Sequence, residues 1–173
     1  MNSFVAPGAE IGDPHSEGKS DSNRSLVIVF LDFDGVLHPY SPWPHDESIR
    51  AKYFSCLPRF EAVLRDCPHV RVVIASDWRR HHSLERLRSF FSADIRERII
   101  GTTALDPSTS DAIGHRQSLA EQFLRDHDLV DTHWIAVDDI VTNYRPDAPL
   151  VLCKDLFGAQ EEAALRRLLR EGP

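Results

Sequence analysis

The stretch VIVFLDFDGVLHP, residues 27–39, decides the fold. Five apolar residues, three of them β-branched, run without a break into two aspartates, Asp32 and Asp34, separated by Phe33. A continuous apolar run of this length reads as a strand buried on both faces, as in a parallel sheet covered by helices. Two carboxylates at the mouth of such a strand are costly unless a cation or a reaction uses them. On an extended backbone residues i and i+2 point to the same side, so Asp32 and Asp34 share a side and Phe33 turns into packing. Gly35 permits the tight turn that follows.

Working outward, VRVVIA (70–75), HWIAV (133–137) and PLVLC (149–153) repeat the apolar pattern, and RII before Gly101 reads as a short additional strand. Helical spacing lies between them. PRFEAVLRD opens on Pro58, suited to a first helical turn. SLERLRSFF (83–91) sets Leu84, Leu87, Phe90 and Phe91 on one face. HRQSLAEQFLRDH (115–127) does the same with Leu119, Phe123 and Leu124, and AQEEAALRRLLRE (159–171) with Leu165, Leu168 and Leu169. The arginines of that last helix read as a solvated face. Strands alternating with helices predict an α/β, Rossmann-like three-layer fold with a central, mostly parallel sheet. Residues 1–24, rich in Gly, Pro, Ser, Asp and Asn, read as a flexible leader, and residues 25–173 as a single domain.

Composition narrows the function classes. A chain of 173 residues is long enough to bury a core without staples. Its net charge of −7 argues against a broadly basic nucleic-acid binder and leaves room only for a local basic patch. Only Lys19, Lys52 and Lys154 are lysines among 20 basic residues, so cationic work in a site falls to arginine, which suits phosphate. Cys56, Cys67 and Cys153 are odd in number and form no C-x-x-C pair, which disfavours a disulfide framework or structural zinc and fits a cytoplasmic location. No apolar run reaches 18 residues, so no membrane partner is expected. His38, His45, His81 and His82 lack metal-ligand spacing and are expected in solvated or hydrogen-bonded surface roles.

In open parallel sheets ligands bind beyond the carboxyl ends of the strands. Asp32 and Asp34 follow the first apolar run, Ser76 and Asp77 the second, and Asp138 and Asp139 follow HWIAV. A strand-end Asp in isolation reads as a cap or turn residue. Convergent carboxylates from separate strands instead call for a hard divalent ion, and an all-oxygen ligand set selects Mg²⁺. Such a site usually also holds a phosphate oxygen, so the pattern points to phosphoryl chemistry. An EF-hand is ruled out, because its twelfth position counted from Asp32 is Trp43.

These motifs resemble the haloacid dehalogenase superfamily, most of whose members are Mg²⁺-dependent phosphohydrolases. DFDGVL (32–37) is similar to its first motif, Ser76 at the end of VVIAS to its second, and Asp138–Asp139 at the end of WIAVDD to its acidic fourth. Arg116, 22 positions before Asp138, resembles the third, with Arg125 and Lys154 as alternatives. The set SDWR, RIIGTT and WIAVDD is similar to the small domains of this type associated with bacterial RNA-repair proteins. The resemblance spans Leu26 to Phe157.

It implies that Asp32 is the nucleophile and Asp34 the general acid and base. Ser76 would bind a phosphoryl oxygen, and Arg116 would neutralise charge and orient Asp32. Mg²⁺ would be held by Asp32, the Asp34 backbone carbonyl and the Asp138–Asp139 pair. Which of that pair binds metal directly is left open.

From Asp34 to Ser76 is 42 positions and from Arg116 to Asp138 is 22, too few in either place for a folded cap domain. An open site admits a macromolecular end, such as a nucleic-acid terminal phosphate or a phosphoprotein, and the expected preference is a nucleic-acid or nucleotide phosphate. WRRHH (78–82) offers a cationic rim, with Arg79 or Arg80 meeting phosphate, Trp78 stacking on a base and Asp77 beside them. Tyr40 and Trp43 of HPYSPWPH (38–45) offer aromatic contacts. The expected function is therefore an Mg²⁺-dependent phosphatase acting on a phosphorylated substrate. The rival is a non-catalytic phosphate- or RNA-binding module that keeps the fold.

Overall fold

Each apolar run forms a strand. The computed structural model describes residues 25–40, 47, 51–105 and 112–171; the expected leader (1–24), Trp43 and His45 lie outside the described residues. The strands are β1 (Val27–Leu31), β2 (Val70–Ile74), β3 (Ile99–Thr102), β4 (His133–Asp138) and β5 (Leu150–Leu152). They make one sheet in the order β3-β2-β1-β4-β5, with every pairing parallel. The helices are α1 (Leu57–Asp66), α2 (Leu84–Arg88), α3 (His115–Asp126) and α4 (Ala159–Glu171). No described helix is long and apolar enough to cross a membrane.

The period of two along β1 divides the core. Val27, Val29 and Leu31 join Phe60 and Leu64 of α1, Leu87 of α2 and Leu165 and Leu169 of α4 on one face. Ile28 and Phe30 meet Ala120, Phe123 and Leu124 of α3 on the other. Both faces are covered, which is why β1 carries no polar residue until it ends.

Helix α2 stops short of the 83–91 pattern. The Ser83 hydroxyl accepts from the Arg86 N–H at 3.2 Å and starts it. Beyond Arg88, buried Glu61 on α1 accepts both the backbone N–H and the hydroxyl of Ser92 at 2.6 Å each. That pull takes the chain out of the helix, and Phe90 and Phe91 pack on the core from a turn.

The topology locates the site. From β1 the chain steps to β2 and β3 on one side, then crosses to β4 on the other. The crevice of such a sheet opens where the order reverses, here between β1 and β4. Backbone bonds hold the strand ends level: Asp32 N–H to Val137 O at 3.0 Å, Ala75 N–H to Leu31 O at 2.9 Å, and Cys153 N–H to Asp138 O at 2.9 Å. Helix α3, which leads into β4, begins at this same edge with Arg116 in its first turn.

The Phe30 ring is fully buried, 6.0 Å from that of Phe123 and 5.9 Å from that of Trp134, both edge-on. Phe30→Ala should therefore destabilise the fold by about 3–5 kcal/mol, measured by denaturant unfolding.

Candidate active site

Asp32 follows β1, buried between β2 and β4. Its Oδ1 accepts the Phe33 N–H at 2.8 Å and its Oδ2 meets Arg116 Nη1 at 2.6 Å. The same Nη1 donates to Asp138 Oδ2 at 2.9 Å, so one guanidinium bridges the carboxylates of two neighbouring strands. Burial alone would loosen the proton on Arg116, but Asp32 and Asp138 outweigh it and hold the group charged. Arg125 and Lys154, the alternatives for this position, are exposed.

Asp138 is completely buried and its oxygens are taken. Oδ1 accepts from the Ile140 N–H at 2.9 Å and Asn143 Nδ2 at 3.1 Å; Oδ2 accepts from Arg116 and, at 3.3 Å, from the Tyr144 hydroxyl. Asp139 instead lines an open cavity of about 420 Å³, together with Asp32, Asp34, Asp77, Arg116, Tyr40 and Ile140. Burial pushes Asp138 up to about 6; Arg116 opposes the rise and Asp32 adds to it. Asp139 is raised by its own burial and then by Asp32. Asp32, Asp138 and Asp139 each offer an oxygen within 4.8 Å of the others, an all-oxygen set that fits a hard divalent ion. Because Asp138 is engaged behind Arg116, Asp139 is the member of the pair that faces the cavity.

Gly35 makes this approach possible. It holds φ +71°, and a Cβ there would stand 2.0 Å from Asp139 Oδ2. A side chain at this position would be strained and would displace the carboxylate.

Asp34 lines the cavity but is held differently, with His38 Nε2 3.1 Å from Oδ1 and Trp78 Nε1 donating to Oδ2 at 2.9 Å. Phe33 between the two aspartates is fully buried, as the alternation requires, against Phe54, Trp78, Phe90 and Phe91. Asp77 is exposed on the cavity wall. Its own burial raises it, but Arg80, Arg116 and Arg79 together hold it below the usual carboxylate range.

Three expected residues are more buried than a rim or a surface would make them. Ser76 is fully buried; its hydroxyl accepts from the Trp78 N–H at 3.5 Å and caps the short 3-10 helix Asp77–Arg80. Arg79 turns inward rather than onto a rim. It donates to the Ala75 carbonyl at 2.7 Å, to Asp77 at 3.2 Å and to the Ala104 carbonyl at 3.4 Å. His38, expected at the surface, is 0% exposed. Its ring, and the partners Asn143 and Tyr144 of Asp138, carry no periodic or motif signal. The one hint for His38 is its position four residues beyond Asp34, across the turn at Gly35.

Over residues 28–164 the chain matches the family model described as the HAD domain in Swiss Army Knife RNA repair proteins, HAD standing for haloacid dehalogenase. The chain belongs to this family. Among curated proteins and solved structures, none matches it. HAD-domain families are generally phosphatase-type hydrolases.

Two consequences of the HAD site's geometry are measurable. Gly35→Ala should cost at least about 1–2 kcal/mol of stability, read by denaturant unfolding, because it forces an L-residue into the left-handed region. The second concerns pH. A carboxylate whose folded pKa is raised costs nothing below its unfolded value; the cost grows as pH rises through the folded value, for Asp138 between about 4 and 6. Asp139 is raised in the same sense. Asp139→Asn removes one such ionisation, so it should raise the thermal midpoint of metal-free protein slightly at pH 7. The same substitution should shrink the stabilisation that added Mg²⁺ gives the wild type.

Proposed function

We propose that this HAD domain is an Mg²⁺-dependent phosphomonoesterase working through an aspartyl-phosphate, with a nucleic-acid terminal phosphate as its substrate class and the cytoplasm as its place of action. The observation that carries the reading is that Asp32 and Asp34 line one open cavity with Arg116 braced against Asp32. A binding module has no need of a second, separately held carboxylate beside the first.

Asp32 attacks phosphorus through Oδ. The new P–O bond forms as the bond to the leaving oxygen breaks, and Asp34 gives that oxygen its proton. Water then attacks the aspartyl-phosphate, Asp34 takes a proton from it, and the Asp32 carboxylate is released with phosphate. Arg116 fixes the direction of Asp32 and sets a permanent positive charge beside the phosphoryl oxygens. A bound Mg²⁺, held by Asp32, Asp139 and the Asp34 carbonyl with Asp138 behind them, would neutralise charge developing on the transferring group.

Two features support a polymer end as substrate. The family is that of the HAD domain in RNA repair proteins. The reaction cavity also adjoins a second opening of about 270 Å³ lined by Asp34, Asp77, Trp78, His81 and His82, and Tyr40 stands exposed at the rim. Aromatic and imidazole rings beside a phosphate site suit a base or sugar.

Phosphate release from para-nitrophenyl phosphate, in Mg²⁺ or EDTA, tests the chemistry. Wild type should release phosphate only with metal, and Asp32→Asn should lose about 1,000-fold or more. Oligonucleotides phosphorylated at the 5′ or 3′ end test the substrate class. If these stay intact while salt-sensitive RNA binding persists, the non-catalytic module is the better reading.

A further inference from the structure

Among the described residues, Asp34 is the one cavity carboxylate held by rings. Asp32 and Asp138 lean on a guanidinium, and Asp77 on three. Asp34 meets an imidazole through Oδ1 and an indole through Oδ2. Two partners on different oxygens fix the plane of a carboxylate as well as its place.

The partners are themselves packed into a cluster of rings. His38 is fully buried, with ring centroids of Tyr53, Phe54 and Trp78 at 4.8, 4.9 and 5.4 Å. Trp78 packs against Phe33, Phe54 and Phe90 at 5.4–5.8 Å. Neither ring turns without opening that cluster, and Phe33, between the two aspartates, is part of it. The His38 tautomer follows from the carboxylate it meets. Nδ1 has no partner among the described residues. An ionised Asp34 carboxylate only accepts, so a neutral His38 paired with it carries its proton on Nε2. The Asp34 side chain stays 32% exposed on its cavity side, with lone pairs left for substrate.

We propose that His38 and Trp78 are positioning residues that lock the plane of the Asp34 carboxylate so that one of its oxygens faces the oxygen leaving phosphorus. This rests on the phosphatase reading above. It also gives Trp78 a role other than base stacking: its indole N–H works inside the site.

The test separates this role from simple packing through the leaving group. Phenoxide needs protonation more than para-nitrophenoxide does, so a displaced proton donor slows phenyl phosphate more than para-nitrophenyl phosphate. Trp78→Phe keeps an aromatic ring and removes the donor; His38→Leu removes the other, and His38→Gln returns an amide N–H near Nε2. For Trp78→Phe and His38→Leu, kcat for phenyl phosphate should fall about 10-fold further than kcat for para-nitrophenyl phosphate, with His38→Gln recovering most of the loss. Asp34→Asn should show the same selectivity more strongly. Equal slowing of both esters, or none, while Asp34→Asn remains selective, overturns the clamp and leaves the phosphatase reading standing. Wild type inactive on both esters and on 5′- and 3′-phosphorylated oligonucleotides, or Asp32→Asn as active as wild type, removes the phosphatase reading and the inference with it. Ring-nitrogen NMR gives an answer independent of turnover: His38 protonated on Nδ1 rather than Nε2 would also overturn the proposal.

Discussion

Arg116 Nη1 stands between Asp32 and Asp138, 2.6 Å from one and 2.9 Å from the other. Parallel strands in register bring their ends to a common edge, and here neighbouring strands end in aspartate. Without a cation between them these buried carboxylates repel at short range in a medium that screens poorly. The arginine relieves that repulsion, and its planar fork lets one nitrogen serve both strands. Much of the site follows: Asp32 is directed, Asp138 is held below the surface, and Asp139 is left for the cavity.

The carboxylates at this edge differ because their surroundings differ. Asp138 has four donors and no exposure, which makes it part of the frame. Asp139 has burial and the nearby charge of Asp32, and its raised affinity for a proton is the same preference that a divalent ion satisfies. Asp77 is surrounded by arginines and stays ionised. Asp34 is set by packing, because its two partners are rings, His38 fully buried and Trp78 packed against the core. The two carboxylates thus rest on different supports: an electrostatic one under Asp32 and a packed ring cluster under Asp34.

The fold was largely legible. The apolar runs at 27–31, 70–75, 133–137 and 149–153 are too continuous to be surface strands, and the helices between them bury Leu87, Leu119, Phe123, Leu124, Leu165 and Leu169 at the spacing the sequence shows, with Leu84 and Leu168 partly buried against the same core. Where the reading of α2 ran long, the cause was a distant residue, Glu61, capturing Ser92. For Arg79 and Ser76 the sequence showed polar groups past a strand end but not their direction. Arg79 was claimed by unpaired backbone carbonyls and Ser76 by the N-terminus of a 3-10 helix, both needs that arise only once the chain is folded.

By itself the sequence determined the parallel α/β sheet, the edge at which its carboxylates gather and the order of the four motifs. Periodicity and strand ends are local properties, and the strand-end rule needs nothing more. Only the tertiary structure decided that Asp139 rather than Asp138 faces the cavity, that Arg116 rather than Arg125 or Lys154 bridges the aspartates, and that His38 is a buried partner of Asp34. Each of those outcomes depends on which groups meet across elements far apart in the chain, and on how burial changes what a charge or a proton costs there.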